Sequence, residues 1–186
     1  MNTSATGSER SANAYTPVNL VLVGFMATGK STVGRRLAKR LGLRFLDLDT
    51  RIEARAGKPI ARIFAEEGEP AFRELERQAA IELGVPDGLV IATGGGIVLN
   101  PDNLRDLARG GLVVCLSATL DTIMRRTAGD TTRPLLQHPD RRARVEQLLQ
   151  QRAALYAAIP HQIATDDLTP EAIVERIAAL YAAESQ

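Results

Sequence analysis

Val18-Asn19-Leu20-Val21-Leu22-Val23 runs straight into Gly24-Phe25-Met26-Ala27-Thr28-Gly29-Lys30-Ser31, and Ser31 opens a stretch in which Val33, Leu37 and Leu41 recur every fourth residue. The first six residues are short, rich in branched apolar side chains and without alternation, as a strand buried on both faces should be. Recurrence at i, i+4 and i+8 marks a helix with one buried stripe. Between the two, the chain fits G-x-x-x-x-G-K-S/T. Gly24 and Gly29 permit backbone angles that turn amide N–H groups around an anion, and the helix N-terminus adds partial positive charge. Lys30 is one of only three lysines, against 20 arginines. In this pattern it reaches the β- and γ-phosphates, and the Ser31 hydroxyl offers an oxygen to Mg²⁺. Strand, glycine turn and helix together indicate a nucleoside triphosphate site. They name no second substrate.

Outward from this motif, strand-like and helix-period runs alternate. Phe45–Leu48, Leu89–Ala92, Leu112–Leu116 and Gln162–Thr165 read as further strands. Helices are expected over Pro101–Ala108 and from Pro170, with Thr169 as its cap. Such alternation implies an α/β fold whose parallel sheet is covered on both faces. Two segments break it. Thr50–Gly84 reads as three successive helices (Thr50–Ala56, Ile60–Glu67, Glu69–Gly84) with no strand between, an inserted helical unit. Ala128–Pro139 is rich in Thr, Pro, Gly and charge and reads as a mobile loop between helices.

Composition narrows the classes. The 186 residues are 45% hydrophobic and 24% charged, the balance of one ordinary globular domain. A net charge of +1 gives no electrostatic footprint for nucleic acid or an anionic membrane. The lone Cys115, inside an apolar run, excludes an internal disulfide and is expected to be a small buried hydrophobe. No stretch approaches the length of a membrane span. Residues 1–16 lack an apolar core like that of a secretory leader and are expected to form a disordered tail, so residues 17–186 form the domain and a cytoplasmic location is expected.

Asp47 and Asp49 stand at the end of the second strand, where ligands bind in open α/β sheets. If the strand continues, their spacing of two points both the same way. One carboxylate could then serve the magnesium and the other an acceptor hydroxyl. Equally, Asp49 could simply cap the helix that follows. Thr93-Gly94-Gly95-Gly96 closes the third strand, and three consecutive glycines suit close approach by a ligand to exposed amides. Arg73 and Arg152, taken alone, read as ordinary surface arginines.

Gly-Phe-Met-x-x-Gly-Lys-Ser-Thr-Val-Gly, Phe-Leu-Asp-x-Asp, Ile-Phe-x-x-x-Gly-Glu-x-x-Phe-Arg-x-x-Glu, x-Gly-Gly-Gly, Arg-Pro-Leu-Leu and Arg-x-x-x-Tyr occur here in order. From about Val18 onward the sequence closely resembles the shikimate kinase family. The resemblance implies a three-layer P-loop kinase fold with five parallel strands ordered 2-3-1-4-5, a substrate-binding insertion (about 49–84) and a lid (about 128–139). It implies ATP-dependent phosphorylation of the shikimate 3-hydroxyl by a monomer. Asp49 then resembles the group that holds and deprotonates that hydroxyl, and Asp47 the outer-sphere magnesium partner beside Ser31. Arg73 and Arg152 resemble a clamp on the shikimate carboxylate, for which guanidinium forks are well shaped. Gly95 and Gly96 would supply amides, and Phe64 and Phe72 would wall the ring. Ala27, Thr28, Gly29, Lys30, Ser31 and Thr32 would hold the phosphates, Arg133 resembles a lid arginine, and Arg126 one that packs on adenine. The chain departs from some family members at Thr165–Pro170, which lacks arginines for the base; base contacts there would be backbone or apolar. Two rival readings share the motif: another small-molecule kinase, for gluconate or a nucleoside monophosphate, and a nucleotide-binding regulator without turnover. Asp49 with the triple glycine separates the first, and intact Lys30, Asp49, Arg73 and Arg133 the second.

Overall fold

Strand β1 (Asn19–Val23) is buried at every residue, and its side chains part to opposite faces in strict alternation. Leu20 and Leu22 join one apolar cluster, Val21 and Val23 another. This is the arrangement of a computed structural model describing residues 18–85, 87–129 and 140–184. The tail expected over 1–16 lies outside the described residues, as do Arg133 and the rest of the expected lid beyond Gly129.

In chain order, β1 is followed by α1 (Lys30–Leu41), β2 (Arg44–Asp47), α2 (Leu48–Ala56), α3 (Ile60–Glu66), α4 (Gly68–Leu83) and β3 (Leu89–Ala92). A 3-10 turn (Ile97–Leu99) leads into α5 (Pro101–Gly110), β4 (Gly111–Ser117), α6 (Leu120–Arg126), α7 (Arg141–Ala157), β5 (His161–Ala164) and α8 (Pro170–Glu184). Every strand pairing is parallel and the order is β2-β3-β1-β4-β5, as the resemblance implies. Register sets Leu20 beside Val90 and Leu112, and Val21 beside Ile91 and Val113. One sheet face packs on α1 and α8 through Val33, Leu37, Ile173 and Ile177. The other packs on the insertion and on α5–α7 through Ile52, Ile63, Leu107 and Val145. Cys115 is buried on that face, and burial pushes its thiol up to about 11.

Asn19 is the polar exception in β1, fully buried yet fully used. Its Nδ2 donates to the carbonyls of Leu83 (3.0 Å) and Val85 (2.8 Å), and its Oδ1 accepts from Asp87 N and Leu89 N (3.0 Å each). A single amide so satisfied ties the end of the insertion to the central strand. Among the described residues, no helix is long and apolar enough to cross a membrane.

Candidate active site

The segment between β1 and α1 wraps a concave backbone at the carboxyl end of the sheet. Gly24 has φ +142°, and a Cβ there would strike the Leu116 carbonyl, so glycine is required twice over. Ala27 also takes a left-handed conformation (φ 59°), an unfavourable one for a residue with a side chain. Lys30 folds back over the loop, its Nζ donating to the carbonyls of Gly24 (2.8 Å) and Phe25 (2.7 Å).

The strand expected over Phe45–Leu48 ends instead at Asp47, so Asp47 and Asp49 do not share a strand face. Helix α2 begins at Leu48, two residues before the expected Thr50, and its cap is Asp47. The Asp47 Oδ1 accepts from Asp49 N (3.2 Å) and Thr50 N (3.5 Å), while its Oδ2 accepts from Ser31 Oγ (2.7 Å). The helix turn separates the two carboxylates: Asp47 faces the nucleotide loop, and Asp49 projects from the first turn of α2 toward the triple glycine. A Cβ on Gly94 would lie 2.8 Å from Asp49 Oδ1.

The other two glycines give way to different neighbours. At Gly95 a Cβ would face the Gly24–Met26 backbone at 3.6–3.7 Å, and at Gly96 it would meet the Arg73 guanidinium. Gly94 and Gly96 therefore make room for a carboxylate and a guanidinium, while a Cβ at Gly95 would meet the phosphate loop only at ordinary contact distance. Arg73 stands over the Phe72 ring (5.1 Å) and donates to Glu69 Oε1 (2.9 and 3.1 Å) and Glu76 Oε2 (2.8 Å). Arg152, on α7, donates to the Gly95 carbonyl (3.1 Å) and lies 5.9 Å from the Phe25 ring centre. At the far end Arg126 donates to Ala27 O (3.1 Å), Thr165 Oγ1 (3.0 Å) and Thr165 O (2.7 Å), beside an apolar lining of Leu168, Pro170 and Ile173.

One cleft of about 850 Å³ joins these groups. Ala27 to Thr32, Asp47, Asp49, Phe72, Arg73, Gly95, Gly96, Arg126 and Arg152 all line it. Phe64 does not; it is 40% exposed and packs on Phe72 at 4.9 Å between ring centres. The cleft therefore has a phosphate-shaped half and a half lined by paired arginines and carboxylates, continuous with each other.

The family model described as "Shikimate kinase" matches residues 26–182. The chain belongs to the shikimate kinase family. A shikimate kinase of Desulforudis audaxviator is 51% identical over 138 residues, covering 74% of this chain and 72% of the relative. The solved shikimate kinase of Acinetobacter baumannii, in complex with shikimate, is 37% identical with a TM-score of 0.84, covering 91% of this chain and 96% of that one. A gluconokinase from Sinorhizobium meliloti superposes less closely, with a TM-score of 0.58 at 17% identity, and shares the fold.

Against that family background, Glu76 stands out as a group whose role the sequence pattern left unread. It sits three residues after Arg73 on α4, a spacing that puts the two side chains together. Its side chain is 1% exposed, and Oε1 makes no hydrogen bond among the described residues. Burial pushes its pKa above the ordinary carboxylate value, an effect opposed by Arg73 and Arg152 and reinforced by Asp49. Tyr156 is the second such residue: its hydroxyl donates to the Gly95 carbonyl at 2.6 Å from a buried position on α7. The motif Arg-x-x-x-Tyr contained it, with no clue to its partner.

Proposed function

We propose that this chain carries out the reaction of its family, moving the γ-phosphoryl group of ATP to the 3-hydroxyl of shikimate and releasing ADP and shikimate 3-phosphate. The observation that carries this reading is the single cleft in which Lys30 and the glycine loop adjoin Asp49, Arg73 and Arg152. Phosphoryl transfer needs little covalent chemistry from the protein; positioning and charge neutralisation dominate.

Asp49 receives the 3-hydroxyl and takes its proton as the oxygen attacks phosphorus. Arg73 and Arg152 hold the shikimate carboxylate, the amides of Gly95 and Gly96 add donors, and Phe72, backed by Phe64, packs on the ring. Lys30 exchanges its two carbonyl partners for phosphate oxygens, a favourable trade for a cation. Amides from Ala27 to Thr32 surround the phosphates. The planar Arg126 guanidinium, fixed by three hydrogen bonds, lines the same cleft as Leu168, Pro170 and Ile173, whose apolar side chains suit a base. Ser31 and Asp47 offer adjacent hard oxygens, the donor type Mg²⁺ selects, and these two would hold it. When bound, the ion supplies further charge neutralisation at the transferring phosphates. Arg133, outside the described residues, is assigned to the transferred phosphate from the family pattern. All these groups come from one chain, so a monomer would suffice for the reaction. A single buried cysteine suits a reducing cytoplasm.

Coupled detection of ADP tests the assignment directly. Release is expected with shikimate and magnesium, and not with gluconate or nucleoside monophosphates. ADP formed with gluconate but not with shikimate would overturn it.

A further inference from the structure

The Gly95 carbonyl accepts two hydrogen bonds, from Tyr156 Oη (2.6 Å) and Arg152 Nη1 (3.1 Å). A carbonyl has two lone pairs, so both are in use. Arg152 is also the guanidinium assigned to the acceptor's carboxylate. One N–H of its guanidinium goes to Gly95, which leaves the others for a carboxylate while the bond to Gly95 sets where they point. With Arg152 as its only partner, the half-buried carbonyl could swing and carry the guanidinium with it.

We propose that Tyr156 is a positioning residue that holds the Gly95 carbonyl in place, so that Arg152, bonded to the same carbonyl, presents its remaining N–H groups to the acceptor's carboxylate. Its mount is rigid. The ring is buried at the end of α7, and the Tyr156 carbonyl accepts from Gln162 Nε2 (2.7 Å) on β5. Its hydroxyl remains a donor at any working pH, because burial pushes it up to about 12. The same bond fixes the plane of the Gly95–Gly96 peptide. In a trans peptide the C=O and N–H point oppositely, so a carbonyl held toward α7 turns the Gly96 N–H away from α7. Among the described residues that N–H donates to nothing. One hydroxyl thus governs two acceptor contacts, the placement of Arg152 and the direction of the Gly96 amide.

The proposal rests on an acceptor that bears a carboxylate, as the shikimate reading supplies. The decisive measurement is steady-state kinetics of the full chain with Tyr156→Phe, alone and combined with Arg152→Lys, varying shikimate and ATP in turn. In Tyr156→Phe the KM for shikimate is expected to rise about tenfold, the loss of one hydrogen bond near a charged group. The KM for ATP should stay within about twofold, since no nucleotide contact changes. Once Arg152 is lysine, the added Tyr156→Phe change should raise the shikimate KM by less than about threefold, because the two residues act through one carbonyl. Tyr156→Leu removes the same donor and should show the same selectivity if the phenylalanine variant does not fold. An unmodified chain that is active while Tyr156→Phe leaves the shikimate KM unchanged, raises both KM values equally or adds fully to Arg152→Lys would overturn this inference alone. An unmodified chain without shikimate-dependent ADP release would overturn both it and the reading beneath it.

Discussion

The phosphate half of the cleft is built on eight consecutive residues whose backbone wraps the anion, whereas the acceptor half is gathered from α2, α4, α7 and the turn after β3. The first half tolerates little change in conformation but asks almost nothing of distant packing: Gly24 and Ala27 hold left-handed angles within one turn. The second half depends on where whole helices sit. Arg73 and Glu76 reach it only because α4 packs among α2, α3 and α5, and Arg152 only because α7 lies against the turn that follows β3. The halves meet at three places. Asp47 joins Ser31 to the cap of α2, Gly95 lies against the Gly24–Met26 backbone, and Arg152 lies over the Phe25 ring. Substitutions on one side should therefore move one substrate's binding and leave the other's largely alone, except at those joints.

The sharpest break in this division is expected at Asp49. Asp49→Asn keeps the shape but removes the base, so turnover should fall by about 10²- to 10⁴-fold. Calorimetric ATP affinity should be nearly unchanged, because the α2 cap is Asp47 and the phosphate loop is untouched. A variant keeping more than about a tenth of the rate would show that Asp49 is no general base.

Next come the arginine and the glycine that makes room for it. Arg73→Lys loses the bidentate fork, and the shikimate KM should rise about ten- to a hundredfold, as for charge-assisted bonds lost. Gly96→Ala sets a methyl group where the Arg73 guanidinium lies and should give a smaller rise of the same kind. Equal increases in the ATP and shikimate constants would mean general loosening and would dissolve the distinction between the halves.

Arg126→Ala should show the opposite selectivity. It frees Ala27 and Thr165 from one guanidinium and strips one face of the base end, so the ATP constant should rise about fivefold while that for shikimate stays within about twofold. A larger effect on shikimate would place Arg126 outside the nucleotide half.

The smallest effect expected on catalysis concerns Glu76, and its sign on stability is opposite. Because burial raises its folded pKa above 4.5, the folded chain retains a proton that the unfolded chain has released. Raising the pH from 4.5 through the raised pKa therefore removes stability, and above that window the loss is complete. Glu76→Gln carries no such proton, so its thermal midpoint should fall less than that of the unmodified chain as pH rises through this range. The same change removes one of the two carboxylates around Arg73, and the shikimate KM should rise a few-fold. Parallel midpoint curves for the two proteins would show that Glu76 does not carry this titration.

The sequence by itself determined the phosphate half and the order of elements. Val18–Ser31 encodes strand, turn and helix locally, because glycine angles, a lysine and a helix start at fixed offsets leave one workable geometry. Apolar runs and helical stripes likewise marked the five strands and α1–α5 and α8 to within a few residues, while α6 and α7 were read only as helices either side of a loop. The quoted motifs carried the family resemblance and, through it, the strand order. Where only packing could decide, local signals stayed ambiguous. Asp49 as cap or as site group was undecidable from spacing; the early end of β2 gave the cap to Asp47, since α2 starts as soon as that carboxylate can take two backbone N–H groups. Asn19 passed unremarked within an apolar strand, yet its four partners lie more than sixty residues away. Glu76 and Tyr156 were visible as letters in motifs, but their chemistry depends on burial and on partners supplied by other elements. Short-range backbone geometry can be read along a chain. The environment of a side chain is set by whatever folds on top of it, and only the tertiary structure specifies that.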